Sequence, residues 1–476
     1  MMDVTATAND YLEKAALAAA EFQELDQEQT DRIVEAAYKA GFGQRVRLAK
    51  MAHEETGLGV WQHKVVKNAL ATQLVYENIR RVKTVGVLSD DEMTGITEIA
   101  QALGPVFAVT PVTNPTSTVM FKILICLKTR NPIIVSPHRR SRKCSVEAAR
   151  VCYEAALKVD APENCIQVIT EGSRELTHAI MSHRRLALIL ATGGTGLVHE
   201  AYSSGTPALG VGPGNVPVFI DRSADIPFAV QCICASKTFD NGTICASEQA
   251  VVVEKAIADA VIREFERQHA YFLTNEEIPK VEKIAIDSST GGMSPEVVGQ
   301  SVEAIARMAG ISLPACTKLL LARLNHVGKD APLSGEVLAP ILAFYVCEDY
   351  DHAIKTCIEL NYLGGIGHSA SIYANDEETI RSFAEVMNAG RVLVNTPSSQ
   401  GAVGSIFNTL AVSLTLGCGS GGKNITTENV TARHLINIKR ICRRRLNARW
   451  LALGMDKILD ESLGADEVWR LYNRNQ

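Results

Sequence analysis

Between Val106 and Ala191, short apolar runs alternate with longer segments whose apolar positions recur at helical spacing. The pattern predicts strands over Val106–Thr110, Pro132–Val135, Cys165–Ile169 and Leu186–Ala191, with helices over roughly 116–127, 145–157 and 175–183 between them. Repeated strand-helix units imply a parallel sheet covered by helices. A second series begins with the β-branched run Ala250–Val253 and continues in strands near Pro340–Tyr345, Ser369–Tyr373 and Arg391–Asn395. Upstream, residues 8–80 alternate alanine-rich and charged positions at helical spacing, with a break at Leu25–Glu28 and a second helix opening over Gln27–Asp31. No heptad persists, so this is a helical layer and not a coiled coil. Lys83–Gly104 mixes β-branched residues with turns, and beyond residue 425 only a strand near His434–Ile438 and helices between Arg449 and Asn473 are expected.

A chain of 476 residues is too long for one ordinary core, so two large lobes are expected. Charged residues make up 21% and the net charge is -5, which gives no global bias toward nucleic acid. The runs Arg139–Lys143 and Arg443–Arg445 are local exceptions that read as solvated faces. The opening residues lack the basic start and apolar core of a signal peptide, and no apolar stretch approaches the roughly 20 residues that span a bilayer. A cytoplasmic protein with no membrane contact is expected. Twelve cysteines show no paired metal spacing, which points to reduced thiols and no metal. Val211–Asn215 is glycine-rich, but no Gly-Lys-Ser/Thr follows to make a phosphate-binding P-loop.

Within Ser236–Gln249 one thiol, Cys245, stands among turn-forming residues. Helix-like spacing from Ala224 to Phe239 runs into the turn signal Asp240-Asn-Gly242, and the strand at Ala250 follows. A thiol at such a place can be reached by substrate and can gain thiolate character from nearby backbone N–H groups. The competing reading is a small core residue. Upstream, Gly193-Gly-Thr-Gly196 follows a predicted strand and leads into a helix, where backbone N–H groups can face a dinucleotide pyrophosphate.

The wording Phe239-Asp-Asn-Gly-Thr-Ile-Cys-Ala-Ser-Glu-Gln249 resembles the nucleophile segment of the CoA-acylating branch of the aldehyde dehydrogenase superfamily. That branch includes the aldehyde dehydrogenase half of bifunctional aldehyde/alcohol dehydrogenases and the succinate-semialdehyde and sulfoacetaldehyde acylating dehydrogenases. The resemblance continues in order through Thr113–Ser117, Lys128–Asn131, Ala191–Gly194, Ala201–Gly205, Gly210–Asn215, Gly364–His368, Asn395–Pro397 and Leu416–Ser420. It implies the two-lobe α/β aldehyde dehydrogenase fold. A Rossmann-like dinucleotide-binding domain is expected over 1–240 with an oligomerisation arm near 83–104, a catalytic α/β domain over 241–425, and an oligomerisation strand and tail over 426–476. The arm and the strand near His434–Ile438 would join another subunit, in a homodimer or homotetramer.

The same resemblance implies reversible conversion of a small aldehyde, CoA and NAD(P)+ to acyl-CoA and NAD(P)H through a thiohemiacetal and a thioester on Cys245. Asn114 would donate to the oxyanion together with the backbone N–H of the nucleophile. His368 would move a proton, since an imidazole titrates near neutrality. Glu336 would hold the nicotinamide ribose. From the residues alone, Asn114 reads as an Asx turn before proline, His368 as a structural loop histidine and Glu336 as a surface carboxylate. The dinucleotide contacts implied are Gly193, Gly194, Thr195 and Gly212, with Ser136, His138, Arg139 and Arg140 beside the adenine ribose. The arginine pair points to NADP, because guanidinium forks match a 2′-phosphate.

Hydrolytic relatives activate water with a glutamate. The matching stretch here, Gly210-Val-Gly-Pro-Gly-Asn215, has no carboxylate, and Val211 stands nearest that position. Without that base the thioester can wait for the CoA thiol. Acetaldehyde or propionaldehyde would suit an apolar pocket, whereas succinic semialdehyde or sulfoacetaldehyde would need an anion-binding residue, for which Lys423 is the candidate. Two other readings stand beside this one: a catalytically idle relative that binds or assembles, and an acyl-phosphate reductase that uses phosphate in place of CoA.

Overall fold

Two wholly parallel sheets take up the alternating apolar runs. The computed structural model describes residues 3–287 and 292–474. The first sheet consists of β1 (Val106–Thr110), β2 (Ile133–Pro137), β3 (Ile166–Val168), β4 (Leu188–Thr192) and β5 (Ala208–Val211), in the order β3-β2-β1-β4-β5. The second consists of β6 (Val216–Ile220), β7 (Glu248–Glu254), β8 (Ala270–Phe272), β9 (Leu319–Arg323), β10 (Ile341–Cys347), β11 (Ala370–Tyr373) and β12 (Val392–Val394), in the order β8-β9-β10-β7-β6-β11-β12. Both belong to one compact unit, residues 3–82 and 102–436.

The second series therefore starts at Val216 and not at Ala250, and the boundary expected at residue 240 falls inside its sheet. Val216–Ile220 is an apolar run like those of the first sheet. Its backbone instead pairs with β7 and β11.

Strand order in the first sheet reverses between β1 and β4, a topological switch point whose carboxyl-end crevice is the usual ligand site of such sheets. Beneath it lies the helix Pro115–Lys128, buried on every side and rich in apolar residues all round, as a helix enclosed by other elements must be. Its Lys122 is also buried, and Nζ donates to the carbonyls of Val109 (2.7 Å) and Leu190 (2.8 Å), tying β1 to β4. Burial pulls this amine down to about 7.

The remaining unit, residues 83–101 and 437–474, contains the antiparallel pair Gly86–Asp91 and Ile96–Ala102 and the helices Ala448–Ile458 and Ala465–Asn473. The strand expected over 434–438 begins at Ile436 and runs to Cys442 because Ala432–Leu435 forms a 3-10 turn first. It pairs with Ile96–Ala102 of its own chain.

Candidate active site

Four neighbouring strands of the second sheet, in the order β10-β7-β6-β11, begin just downstream of Glu336, Cys245, Gly214 and His368. Parallel strands start at the same edge of a sheet, so residues far apart in sequence line up there. Gly214 marks how closely they approach. A Cβ at this position would lie 2.4 Å from the Cys245 carbonyl oxygen and 3.1 Å from the His368 ring, so no larger residue fits. Glu336 Oε1 accepts the Gly214 N–H at 2.9 Å, and the loss of water around this carboxyl raises it to about 7.

Asp240 (φ 52°), Asn241 (φ 54°) and Gly242 (φ 72°) are consecutive left-handed residues ahead of Cys245. Each non-glycine residue in this region costs about 1 kcal/mol. Side-chain bonds offset the cost. Asp240 accepts from the Val60 N–H at 2.7 Å, from Lys64 Nζ at 3.0 Å and from Lys67, and Asn241 Nδ2 donates to the Gly299 carbonyl at 2.9 Å. Cys245 Sγ opens onto an apolar pocket of about 60 Å³ walled by Val66, Leu70, Phe239, Ile406, Leu414 and Leu416. Thr192 at the end of β4 and Asn114, four residues past the end of β1, line the same pocket, so it draws on the carboxyl end of the first sheet at its switch point.

Asn114 occupies the N-cap position of Pro115–Lys128 without capping it. A capping side chain there is worth about 1 kcal/mol, and it is forgone. Oδ1 accepts from Lys67 Nζ at 2.6 Å, while Nδ2 donates to Thr113 Oγ1 at 3.0 Å and to the Thr243 carbonyl at 3.4 Å. The side chain thus makes neither the cap nor the Asx turn that the residues alone suggest.

The fully buried His368 ring places Nε2 3.3 Å from Cys245 Sγ and Nδ1 3.0 Å from Ser369 Oγ. Gly367, at φ +80°, allows this approach: a Cβ there would lie 1.7 Å from the Cys418 carbonyl oxygen. Arg391 holds the loop, donating to the His368 carbonyl at 2.8 Å and the Gly417 carbonyl at 2.6 Å. Desolvation, followed by the charge of Arg391, lowers the imidazole to about 3, and desolvation, followed by the charge of Glu336, pushes the Cys245 thiol up to about 12. Two expectations change as a result. The thiol gains no thiolate character at rest, because burial outweighs its own backbone N–H, and the imidazole does not titrate near neutrality. The pair is neutral. With the thiol donating to Nε2, the imidazole proton stands on Nδ1, facing Ser369 Oγ.

Gly193, Gly194 and Thr195 follow β4, and Gly194 stands at the N-cap of the helix Thr195–Ser203 without a side-chain cap. A Cβ at Gly194 would meet nothing, so there is open space beside this uncapped helix N-terminus, a setting that suits a pyrophosphate. Thr195 and Gly212 line a cleft of about 610 Å³. Lys423 lines this cleft as well, and it does not line the apolar pocket. Ser136 is buried near the end of β2, and His138, Arg139 and Arg140 are exposed just beyond it. The structure thus brings Cys245, Asn114, His368 and Glu336 to one place and sets the dinucleotide candidates along the carboxyl ends of β2, β4 and β5. Val211 is buried in an apolar cluster with Ala246, Leu393, Ala402, Leu416 and Cys418.

Lys67, on the helix Trp61–Ala69, lines the pocket and was not anticipated. Its only sequence signal was a second lysine three residues before it on an amphipathic helix, a pattern that usually faces solvent. All twelve cysteines are unpaired. Among the described residues no His/Cys/Asp/Glu group could hold a metal, and no helix is long and apolar enough to cross a membrane.

The profile of the aldehyde dehydrogenase family matches residues 3–278. The aldehyde-alcohol dehydrogenase of Clostridium acetobutylicum is 46% identical over 428 residues, 89% of this chain and 49% of that protein. The chain spans about half the length of the bifunctional relatives it matches. The acetylating succinate-semialdehyde dehydrogenase of Clostridium kluyveri is 36% identical over 91% of this chain and 94% of its own. Among solved structures, an acetylating aldehyde dehydrogenase from Geobacillus thermoglucosidasius superposes with a TM-score of 0.91 at 46% identity, covering 93% of this chain and 97% of that one.

Proposed function

The chain belongs to the aldehyde dehydrogenase family, in its acylating branch, and from that premise we propose that it converts a short, uncharged aldehyde, CoA and NAD(P)+ to acyl-CoA and NAD(P)H. The observation that carries this reading is a thiol paired with a neutral imidazole at 3.3 Å, facing an apolar pocket whose lining, among the described residues, includes no carboxylate to activate water. The thiol gives its proton to His368 as sulfur adds to the aldehyde carbon. The oxyanion takes Asn114 Nδ2 and the Cys245 N–H as donors. Bound NAD(P)+ supplies the acceptor for the hydride that leaves this carbon. His368 passes the thiol proton to solvent, and the resulting thioester on Cys245 is then attacked by the CoA sulfur, whose proton moves through His368 to the Cys245 sulfur as it leaves. Glu336, through Gly214, fixes the turn that carries Gly212 into the cleft.

Aldehyde class follows from the pocket wall. Its one lysine is already engaged by Asp240, Asn114 and Thr243, and Lys423 faces the other cleft. A carboxylate or sulfonate tail would meet no lysine or arginine that is free of other partners on this wall, and desolvating it costs several kcal/mol. Acetaldehyde and propionaldehyde are therefore expected to exceed succinic semialdehyde and sulfoacetaldehyde in kcat/KM by at least about 10²-fold. Formation of reduced nucleotide across this panel, with and without CoA, tests the assignment. Free acid formed rapidly without CoA would overturn it, and a requirement for phosphate in place of CoA would move it to acyl-phosphate reduction.

NADP is the proposed cofactor. Arg139 and Arg140 are exposed on the turn that follows β2; no side-chain hydrogen bond or ion pair holds Arg139 among the described residues, and Arg140 donates to the Thr56 carbonyl at 3.4 Å. The double variant Arg139→Ala/Arg140→Ala is expected to raise KM for NADP about 10-fold or more and to leave KM for NAD within about twofold, since only one cofactor carries the 2′-phosphate. Unchanged constants for both would refute it. We place the protein in the cytosol, where twelve free thiols persist, and propose a homodimer or homotetramer assembled through the arm near 83–104 and the strand Ile436–Cys442, whose side chains are almost all exposed.

A further inference from the structure

We propose that Lys67 is a positioning residue: its ammonium sets which end of the Asn114 amide faces the reacting sulfur. The inference rests on the acylating reading and on Asn114 as oxyanion donor. Lys67 is nearly fully buried, and its Nζ has three acceptors for three hydrogens: Asn114 Oδ1 at 2.6 Å, Thr243 Oγ1 at 2.9 Å and the Asp240 carboxylate. An ammonium can only donate, so Asn114 must turn its oxygen to Lys67. The Nδ2 end then faces Thr243, two residues before Cys245. With a neutral partner the amide could flip and present Oδ1 to the developing oxyanion, where it would repel.

Asp240 holds Lys67 in turn. This carboxylate accepts from Lys64 Nζ (3.0 Å), the Val60 N–H (2.7 Å) and Thr243 Oγ1 (2.8 Å), all from a left-handed backbone. Two buried lysines face one buried carboxylate, which leaves one excess positive charge in the cluster beside the pocket. Burying unmatched charge is costly. Here it strengthens the asparagine donor, because a cation bonded to the amide oxygen polarises the N–H groups at its other end. Desolvation lowers the ammonium only to about 8, so it is charged at neutral pH.

A double-mutant cycle tests the assignment. Asn114→Ala is expected to lower kcat about 10²–10³-fold, as loss of one oxyanion donor does. Lys67→Met should lower kcat about 10–10²-fold while KM for aldehyde and nucleotide binding stay within about twofold, and the double variant should be no slower than Asn114→Ala alone, because contacts acting as a unit are not additive. A merely structural loss would multiply instead. Lys67→Met leaves the Lys64–Asp240 pair balanced. Lys67→Gln, which removes the charge but keeps polar volume, runs through the same cycle should the methionine variant lose nucleotide binding. Wild-type kcat in the Lys67 variants, or losses that multiply with Asn114→Ala, would overturn the proposal. Wild-type kcat in Asn114→Ala would instead remove the oxyanion reading on which it stands.

Discussion

Cys245→Ala is expected to abolish reduced-nucleotide formation from aldehyde and CoA, by at least about 10⁴-fold, the scale on which removal of a covalent nucleophile is felt. Nucleotide binding should persist. The cleft lined by Thr195 and Gly212 lies outside the apolar pocket onto which Sγ opens, and Cys245 is not among its walls. The decisive readout is mass. Wild-type protein incubated with acetyl-CoA in the reverse direction should gain one acetyl group on the peptide that contains Cys245, and the alanine variant should gain none there. Cys418 sets the competing outcome. It packs in the cluster that holds Ala246, the residue after the nucleophile, and it lines the cleft. An acetyl group on Cys418 with activity retained in Cys245→Ala would assign the chemistry to the second thiol and end the proposal for the first.

Much of the architecture was legible because its apolar runs are short, separated by turns and of one period each. The strand over Val106–Thr110 agrees residue for residue, and the helices that follow differ by a few residues at their ends. What the pattern could not carry was pairing. Val216–Ile220 has the same apolar character as the strands before it, and only hydrogen bonding with Glu248–Glu254 and Ala370–Tyr373 assigns it to the second sheet. Site residues divide in the same way. Cys245, Asn114 and His368 stand in turn sequences with recognisable wording, whereas Lys67 sits on an ordinary amphipathic helix and acquires its role through contact with Asp240, Asn114 and Thr243, none of them near it in sequence. Protonation was the other blind spot. Exposure near a turn suggested a thiolate and a titrating imidazole, and burial reverses both.

That reversal leads to a pH signature for His368→Gln. At neutral pH this variant is expected to lose about 10²–10³ in kcat, since a positioned proton acceptor contributes on that scale. Because the thiol lies at about 12, the thiolate fraction without an acceptor grows tenfold for each pH unit up to that value. The log of the variant's rate should therefore rise with a slope near one from about pH 7 to pH 10, and its deficit should shrink as the wild type, which transfers the proton within the pair, stays flatter. Alkylation of the Cys245 peptide by iodoacetamide should follow the same rule. Between about pH 5 and 8 the imidazole should contribute no step, because a ring held at about 3 does not change charge there, and a step from Glu336, raised to about 7, should persist in His368→Gln. Stability carries the matching sign. As pH falls below about 6.5 the unfolded chain takes up a proton that the folded imidazole refuses until about 3, so the wild type loses stability across that window and His368→Gln loses less. A step in Cys245 alkylation near pH 6.5 that disappears in His368→Gln would show a thiolate-imidazolium pair at rest and refute the neutral one.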